Sequence, residues 1–192
     1  RGRDIKRYFY DWAGLWVIVI PAGWTNENKG AQNPENYIYE KFPSLMDYLK
    51  PFEEKAKNRD DQGDFWWELR HCAYYSEFEK EKVVWQELAQ GAQFALDLNG
   101  EFFISNTGYI LTGNRIKYVL GYLNSKFNEV IYNKWYCTKL GSSGIRWLNQ
   151  HVLEIPIPPI TSTNEPIVKQ IEMFVDKILE AKKENPQADT SE

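Results

Sequence analysis

The run Glu154-Ile155-Pro156-Ile157-Pro158-Pro159 constrains this chain more than any other stretch. Proline fixes φ and removes a ladder donor, so an apolar run broken in this way cannot be a central sheet strand. It predicts a closing edge strand over residues 152–159 that ends in an extended segment. A helical stripe follows, in which Ile167, Ile171, Phe174, Val175, Ile178 and Leu179 share one face opposite a charged one. Ser162-x-x-Glu165 reads as its capping box, and Lys182 and Lys183 suit the negative end of its dipole. A closing strand followed by an amphipathic helix points to a module mounted on a spacer.

Upstream, the apolar period alternates between strand and helix. Leu15 to Ile20 is a continuous, β-branched run ending at Pro21 and predicts a buried strand; Tyr37-Ile38-Tyr39 predicts a second. Residues 23–36, rich in Asn, Gly and Gln, predict a loop between them. Ser44 is a candidate N-cap for a helix through Leu45, Met46 and Leu49, which Pro51 either kinks or ends with a new turn. Phe65-Trp66-Trp67-Glu68-Leu69 fits strand or helix, with its tryptophans assigned to the core. Glu81 to Leu88 and Ala92 to Leu98 read as strands, and Asn99-Gly100 signals a hairpin turn towards Phe102 and Ile104. Tyr109-Ile110-Leu111 predicts another strand, closed by Gly113. Ile116, Val119, Leu120, Leu123, Phe127, Val130 and Ile131 then take helical spacing, as one face or as two helices meeting near Asn124-Ser125.

These elements predict an α+β fold: a mixed, mostly antiparallel β-sheet body with packed helices and a C-terminal amphipathic helix. The expected organisation is a body over residues 1–160 built round one core, a spacer or docking helix over 161–184 and a disordered tail over 185–192. A length of 192 residues suits one domain with an appendage. No apolar run approaches a membrane span, so no membrane partner is expected. No signal-peptide pattern is visible, and Cys72 and Cys137 are too few for a disulfide framework, which points to a reducing cytoplasm. With His71 and His151 they match no metal-ligand spacing, so no metal site is expected. The chain opens Arg1-Gly2-Arg3 without an initiator methionine and reads as a piece of a longer protein.

The net charge of −4 argues against nucleic acid at first sight, but the charge is segregated. Residues 103–151 carry Arg115, Lys117, Lys126, Lys134, Lys139 and Arg146 against Glu129 alone, a net +5. Residues 1–8 carry Arg1, Arg3, Lys6 and Arg7 against Asp4, a net +3, whereas residues 34–102 sum to −7. This pattern predicts a basic face on an acidic body. Within it, Lys139-Leu140-Gly141-Ser142-Ser143-Gly144-Ile145-Arg146-Trp147 has the ingredients of a DNA-contacting loop. Gly and Ser let backbone N–H groups approach phosphate, Lys139 and Arg146 supply charge, and Trp147 either stacks or packs in the core.

The order of these motifs carries a family resemblance. Gly2-Arg3-Asp4-Ile5-Lys6-Arg7-Tyr8, Phe42-Pro43-Ser44-Leu45, Tyr48-Leu49-Lys50 with Arg59, Trp67-Glu68-Leu69, Lys82-Val83-Val84, Leu120 to Lys126 and Leu153 to Pro158 follow one another as expected. In that order the chain resembles the TaqI-like C-terminal specificity domain of adenine methyltransferases and of fused Type II restriction–modification enzymes. The resemblance implies a sequence-specific DNA target recognition module, prokaryotic and cytoplasmic, with double-stranded DNA as partner. It implies an upstream adenine methyltransferase domain in the same parent chain, and a nuclease domain in a fused enzyme. S-adenosylmethionine and Mg are implied for that parent, with no cofactor in this fragment. Arg3, Lys6 and Arg7 fall where the family's domain follows the catalytic one and are candidate phosphate contacts. The DNA-binding set is thus Arg3, Lys6, Arg7, Lys139, Ser142, Ser143, Arg146 and Trp147.

No catalytic residues are assigned. The glycine-rich methyl-donor turn and the Asn/Asp-Pro-Pro-aromatic loop of adenine methyltransferases do not occur, so base flipping cannot be completed by this sequence alone. Glu53-x-Lys55 and Glu180-x-Lys182 match the short end of a nuclease motif without a Pro-Asp partner. No Walker loop or nucleophile elbow is present. Two other readings compete: half of a Type I specificity subunit, and a non-catalytic protein- or carbohydrate-binding module permitted by the eight Trp and twelve Tyr.

Overall fold

The structure is a computed structural model that describes residues 1–137 and 144–190. In chain order its elements are β1 (Ile5–Lys6), β2 (Phe9–Tyr10), α1 (Trp24–Asn28), α2 (Pro34–Lys41), α3 (Pro43–Leu49), α4 (Glu53–Lys57), β3 (Lys82–Gln86), β4 (Leu88–Ala89), β5 (Phe94–Asp97), β6 (Gly108–Thr112), α5 (Ile116–Leu123), α6 (Lys126–Trp135), β7 (Ile145–Arg146), α7 (Asn149–Val152) and α8 (Glu165–Glu184). All strand pairs are antiparallel and the chain closes on a long helix, the α+β class expected. The chain folds as two compact units rather than round the one core expected: residues 1–15 with 76–192, and residues 16–75.

The larger unit is built on a sheet of order β5-β3-β6. Its central strand β3 has Lys82 opposite Asp97 of β5 and Thr112 of β6. Val83, Trp85, Phe94 and Leu96 turn into a core shared with Leu120, Leu123, Tyr132 and Trp147. Lys82 and Asp97 are both buried and form an ion pair across the ladder. The Asp97 carboxylate also accepts the N–H groups of Glu101 and Phe102, and the Lys82 ammonium donates to the Phe78 carbonyl, so neither charge lacks a polar partner. The strands expected over Glu81–Leu88, Ala92–Leu98 and Tyr109–Leu111 are present as Lys82–Gln86, Phe94–Asp97 and Gly108–Thr112. Asn99-Gly100 does not join strands, because β5 pairs with β3 and residues 102–104 take no ladder position.

The helical stretch after β6 splits in two. Asn124 ends α5, and the Ser125 hydroxyl accepts the Asn128 N–H at 3.1 Å to start α6. Asn124 is buried and uses its amide as a strand substitute, donating to the Phe94 carbonyl at 2.9 Å and accepting the Phe94 N–H at 3.1 Å.

The Ile-Pro run is not the closing edge strand the sequence predicts. It is an extended strap whose carbonyls are taken by tyrosine hydroxyls: Tyr136 donates to Glu154, Tyr122 to Pro156 and Tyr118 to Pro158, at 3.0–3.1 Å. The prolines offer no N–H and those of Ile155 and Ile157 bond locally, so Tyr118 and Tyr122 of α5 and Tyr136, just past α6, hold the run instead. Beyond it, α8 packs on α5 where Gly121 leaves room; a Cβ there would lie 2.9 Å from Ile171 and 3.0 Å from Val175. The capping box at Ser162 does not form: Asn164 precedes the helix, and its Oδ1 accepts the Thr161 N–H at 2.8 Å.

The smaller unit is helical. Its core joins Ile20, Ile38, Met46, Trp66 and Trp67, so the paired tryptophans are core residues. Glu68 is buried, and its carboxylate accepts the N–H groups of Gly23, Thr25 and Asp64 at 2.9–3.1 Å. Two expected strands are absent. Tyr37–Tyr39 lies in α2, nucleated by Pro34 at the first turn and by Asn33, whose Oδ1 accepts the N–H groups of Glu35 and Asn36. The run from Leu15 to Ile20 takes no ladder position and exposes Leu15, Trp16, Val17 and Ile18; only Ile20 enters the core. Residues 23–36, expected as loop, contain α1, and α3 starts at Pro43 rather than from Ser44. Among the described residues no helix is long and apolar enough to cross a membrane.

Candidate functional site

The connection from β3 to β5 is where the separate basic segments of the sequence meet. Its short strand β4 pairs with β7, setting Leu88 opposite Arg146 and Ala89 opposite Ile145. Gly144, at φ +113°, permits this approach; a Cβ there would sit 2.6 Å from the Ala89 carbonyl oxygen. On the other side lies the N-terminal segment, where Gly2 packs so closely on Gln86 that a Cβ would come within 3.0 Å of its Oε1. Between them an open groove of about 270 Å³ is lined by Arg3, Lys6, Gln86, Leu88, Ala89, Gln90 and Gln93. Two cations and three amides face it, with no carboxylate among the lining residues.

The groove's floor is rigid for identifiable reasons. Trp147 clamps the β3–β5 connection at both ends: its backbone N–H donates to the Glu87 carbonyl at 2.7 Å and its indole N–H to the Gly91 carbonyl at 3.1 Å. The Trp85 indole donates in turn to the Trp147 carbonyl at 3.1 Å. Trp147 is 1% exposed and stacks on Tyr132 with ring centroids 3.9 Å apart. Its assignment as a DNA contact is therefore corrected: the ring is core, and it serves the groove by holding the connection in place. Sequence could not decide this, because a tryptophan beside a basic residue suits stacking and packing equally.

Arg3, Lys6 and Arg7 gather at one end of the fold. Arg3 sits in a 3-10 turn over Gly2–Asp4 with its side chain 73% exposed and 3.8 Å from Asp4. Lys6, on β1, donates to the Arg3 carbonyl at 2.7 Å and lines the same groove. Arg7 is exposed at the tip of the β1–β2 hairpin, beside Tyr8. Tyr8 holds φ 67° there because its ring is buried and its N–H donates to the Phe94 carbonyl at 2.9 Å. The Asp4 carboxyl is held below the usual carboxylate range by its hydrogen bond from Arg1, so this end keeps an anion among its cations. Lys139, Ser142 and Ser143 lie outside the described residues.

The wide basic face expected over residues 103–151 is largely neutralised within the fold. Arg115 bonds both carboxylate oxygens of Glu172 at 2.7 and 2.8 Å and Glu165 at 2.9 Å, contacts that hold its guanidinium firmly protonated. Lys117 lies 2.6 Å from Asp176, and Lys126 lies 3.4 Å from Glu129. Arg146 lies 2.9 Å from Glu87 without an aligned hydrogen bond, and its side chain stays 41% exposed. Burial pushes the nearby Tyr109 hydroxyl up, with the Glu87 carboxylate adding to the effect. Arg3 and Lys6 thus line one groove and Arg146 pairs with its lining residue Leu88, whereas Arg115 and Lys117 serve the docking of α8.

Sequence reasoning missed Gln86, Gln90 and Gln93. The signal was present as three amides among small residues in Gln86-Glu87-Leu88-Ala89-Gln90-Gly91-Ala92-Gln93, between two strands. The nuclease-like fragment Glu53-x-Lys55 is spent on helix pairs, with Glu53 2.7 Å from Lys50 and 2.6 Å from Lys57. Among the described residues no three His, Cys, Asp or Glu side chains gather as metal ligands.

No curated protein matches the sequence. A family model, the TaqI-like C-terminal specificity domain, matches residues 1–157, which takes in all of the smaller unit and the larger one as far as the Ile-Pro strap. The chain belongs to the family of TaqI-like C-terminal specificity domains.

Proposed function

We propose that this chain is the DNA target recognition module of a restriction–modification enzyme, gripping duplex DNA along the groove between the N-terminal segment and the β3–β5 connection. The observation that carries this reading is the meeting of Arg3 and Lys6 with Gln86, Gln90 and Gln93, distant in sequence, around one groove whose lining residues include no carboxylate, with Arg146 paired to the lining residue Leu88 across β4 and β7. Cations there grip phosphates and set register, while amides have the donor and acceptor needed at base edges. Arg7 on the hairpin tip extends the same contact, and the sequence assigns Lys139, Ser142 and Ser143 to DNA binding as well. A specificity domain recognises and does not transform its target. On this reading the adenine methyltransferase it directs, with its S-adenosylmethionine, and any nuclease with its Mg²⁺, act from the parent's upstream domains. Family membership, together with a groove lined by no aromatic side chain, disfavours a carbohydrate platform.

Fluorescence anisotropy with duplex DNA at two salt concentrations tests this. Arg3→Ala with Lys6→Ala should weaken binding to every sequence alike and reduce the log–log salt slope by roughly 2, about one per lost phosphate contact. Arg146→Ala with Lys139→Ala should act in the same direction. Unchanged affinity and slope in both double variants would remove the interface from this edge.

A further inference from the structure

We propose that Gln86, Gln90, Gln93 and Leu88 form a specificity-determining set that reads an A·T base pair in the major groove of the bound duplex. The inference rests on the DNA-recognition reading and names the base the groove selects. An amide is the one neutral side chain that offers a donor and an acceptor side by side, and adenine presents the matching pair, its N7 acceptor and N6 donor, in the major groove. The thymine across the pair presents a methyl group, which takes an apolar contact. This groove supplies both. Gln90 is exposed at its rim, with its Nε2 beside Gly144. Gln93 is half-buried and accepts from Gln86 Nε2 at 3.3 Å, which limits its rotamers before any ligand arrives. Leu88 lines the groove while 46% exposed, an apolar surface left in water.

Three further features favour this occupant. Arg3 and Lys6 flank the amides and provide the phosphate grip that sets register. No aromatic ring lines the groove, so the stacking platform that single strands need is missing and a duplex edge fits better. Guanine is best read by an arginine fork. The one arginine in the lining, Arg3, stands 3.8 Å from the Asp4 carboxylate. Gln90 and Gln93 therefore make the base contacts, and Gln86 positions Gln93.

The experiment is selection from a randomised duplex library at low salt. It uses the protein as its gene encodes it and the variants Gln90→Ala, Gln93→Ala and Leu88→Ala. Selected duplexes are then rebuilt with 7-deazaadenine, which lacks the N7 acceptor, or with deoxyuridine, which lacks the thymine methyl. The expected result is a motif with an invariant A·T pair. Either glutamine variant lowers discrimination at that pair on the order of tenfold. The 7-deazaadenine duplex weakens the unaltered protein and costs less in the glutamine variant whose amide meets that N7. The deoxyuridine duplex does the same relative to Leu88→Ala. Because the modified DNA leaves the protein intact, a misfolded variant cannot mimic the result. A motif without an A·T pair, or glutamine variants that keep full discrimination, overturns the base assignment while DNA binding stands. No duplex binding by the unaltered protein at low salt overturns both.

Discussion

Tyr132 shows how much one buried side chain carries for the groove it never lines. Its ring stacks on Trp147 and its hydroxyl donates to the Arg146 carbonyl at 2.8 Å, tying α6 to β7. Burial disfavours the phenolate and pushes the hydroxyl up to about 12. An unfolded tyrosine titrates near 10, so the folded state favours the neutral form. This contribution is complete below about pH 10 and is lost as pH rises through the folded value. Tyr132→Phe should lower stability by about 1 kcal/mol at pH 8, the net worth of one hydrogen bond. The gap to the unaltered protein should shrink between pH 10 and 12, where only the tyrosine is forced to ionise. Urea unfolding at pH 8 and near pH 11 measures it. An equal gap at both would mean that the hydroxyl is not the group held neutral by the fold. None of this was legible in the sequence, because Tyr132 and Trp147 are neighbours only after α6 and β7 have docked.

At the scale of elements, what was legible follows from where partners lie. β3, β5, β6 and the two helices α5 and α6 announce themselves, because each has a strong local period and its neighbours lie close in the chain. The failures are runs whose local chemistry was overridden. Leu15 to Ile20 has strand composition but no ladder partner, and Tyr37–Tyr39 is captured by the Asn33 cap upstream of it. The Ile-Pro run needed donors for its carbonyls, which tyrosines on α5 and just past α6 provide. α8 was predictable in extent, since its stripe runs unbroken, but its seat was not. That seat is α5, through the Arg115 and Lys117 ion pairs and the gap at Gly121. Gly121→Val fills the gap and should destabilise the docked helix by about 1–3 kcal/mol, the usual penalty of overpacking. Limited proteolysis should then cut faster within residues 159–184, with the β3–β6 sheet still protected. If α8 stays as resistant as before, the contact at Gly121 is not what seats it.

At the scale of the whole molecule, the division into two units makes a thermodynamic claim. The chain leaves the larger unit after Leu15 and returns at Ser76, and each unit keeps its own apolar cluster. The smaller cluster has few members, and Glu68 supplies polar order to it by accepting three backbone N–H groups that no helix or strand satisfies. Removing that carboxylate strands those donors, each at a cost of about 1–3 kcal/mol where water cannot reach them. Such a sum competes with the entire stability expected of a unit this small. Glu68→Ala should therefore open residues 16–75 while leaving the larger unit folded, because each unit keeps its own apolar cluster. Hydrogen exchange followed by mass spectrometry separates the possibilities. Protection should fall across α1 to α4 and persist over Lys82–Gln86 and Gly108–Thr112, and low-salt duplex binding through Arg3, Lys6 and Arg146 should survive. Joint loss of protection in both regions would mean that the units unfold as one, and that the groove depends on the helical unit for its stability.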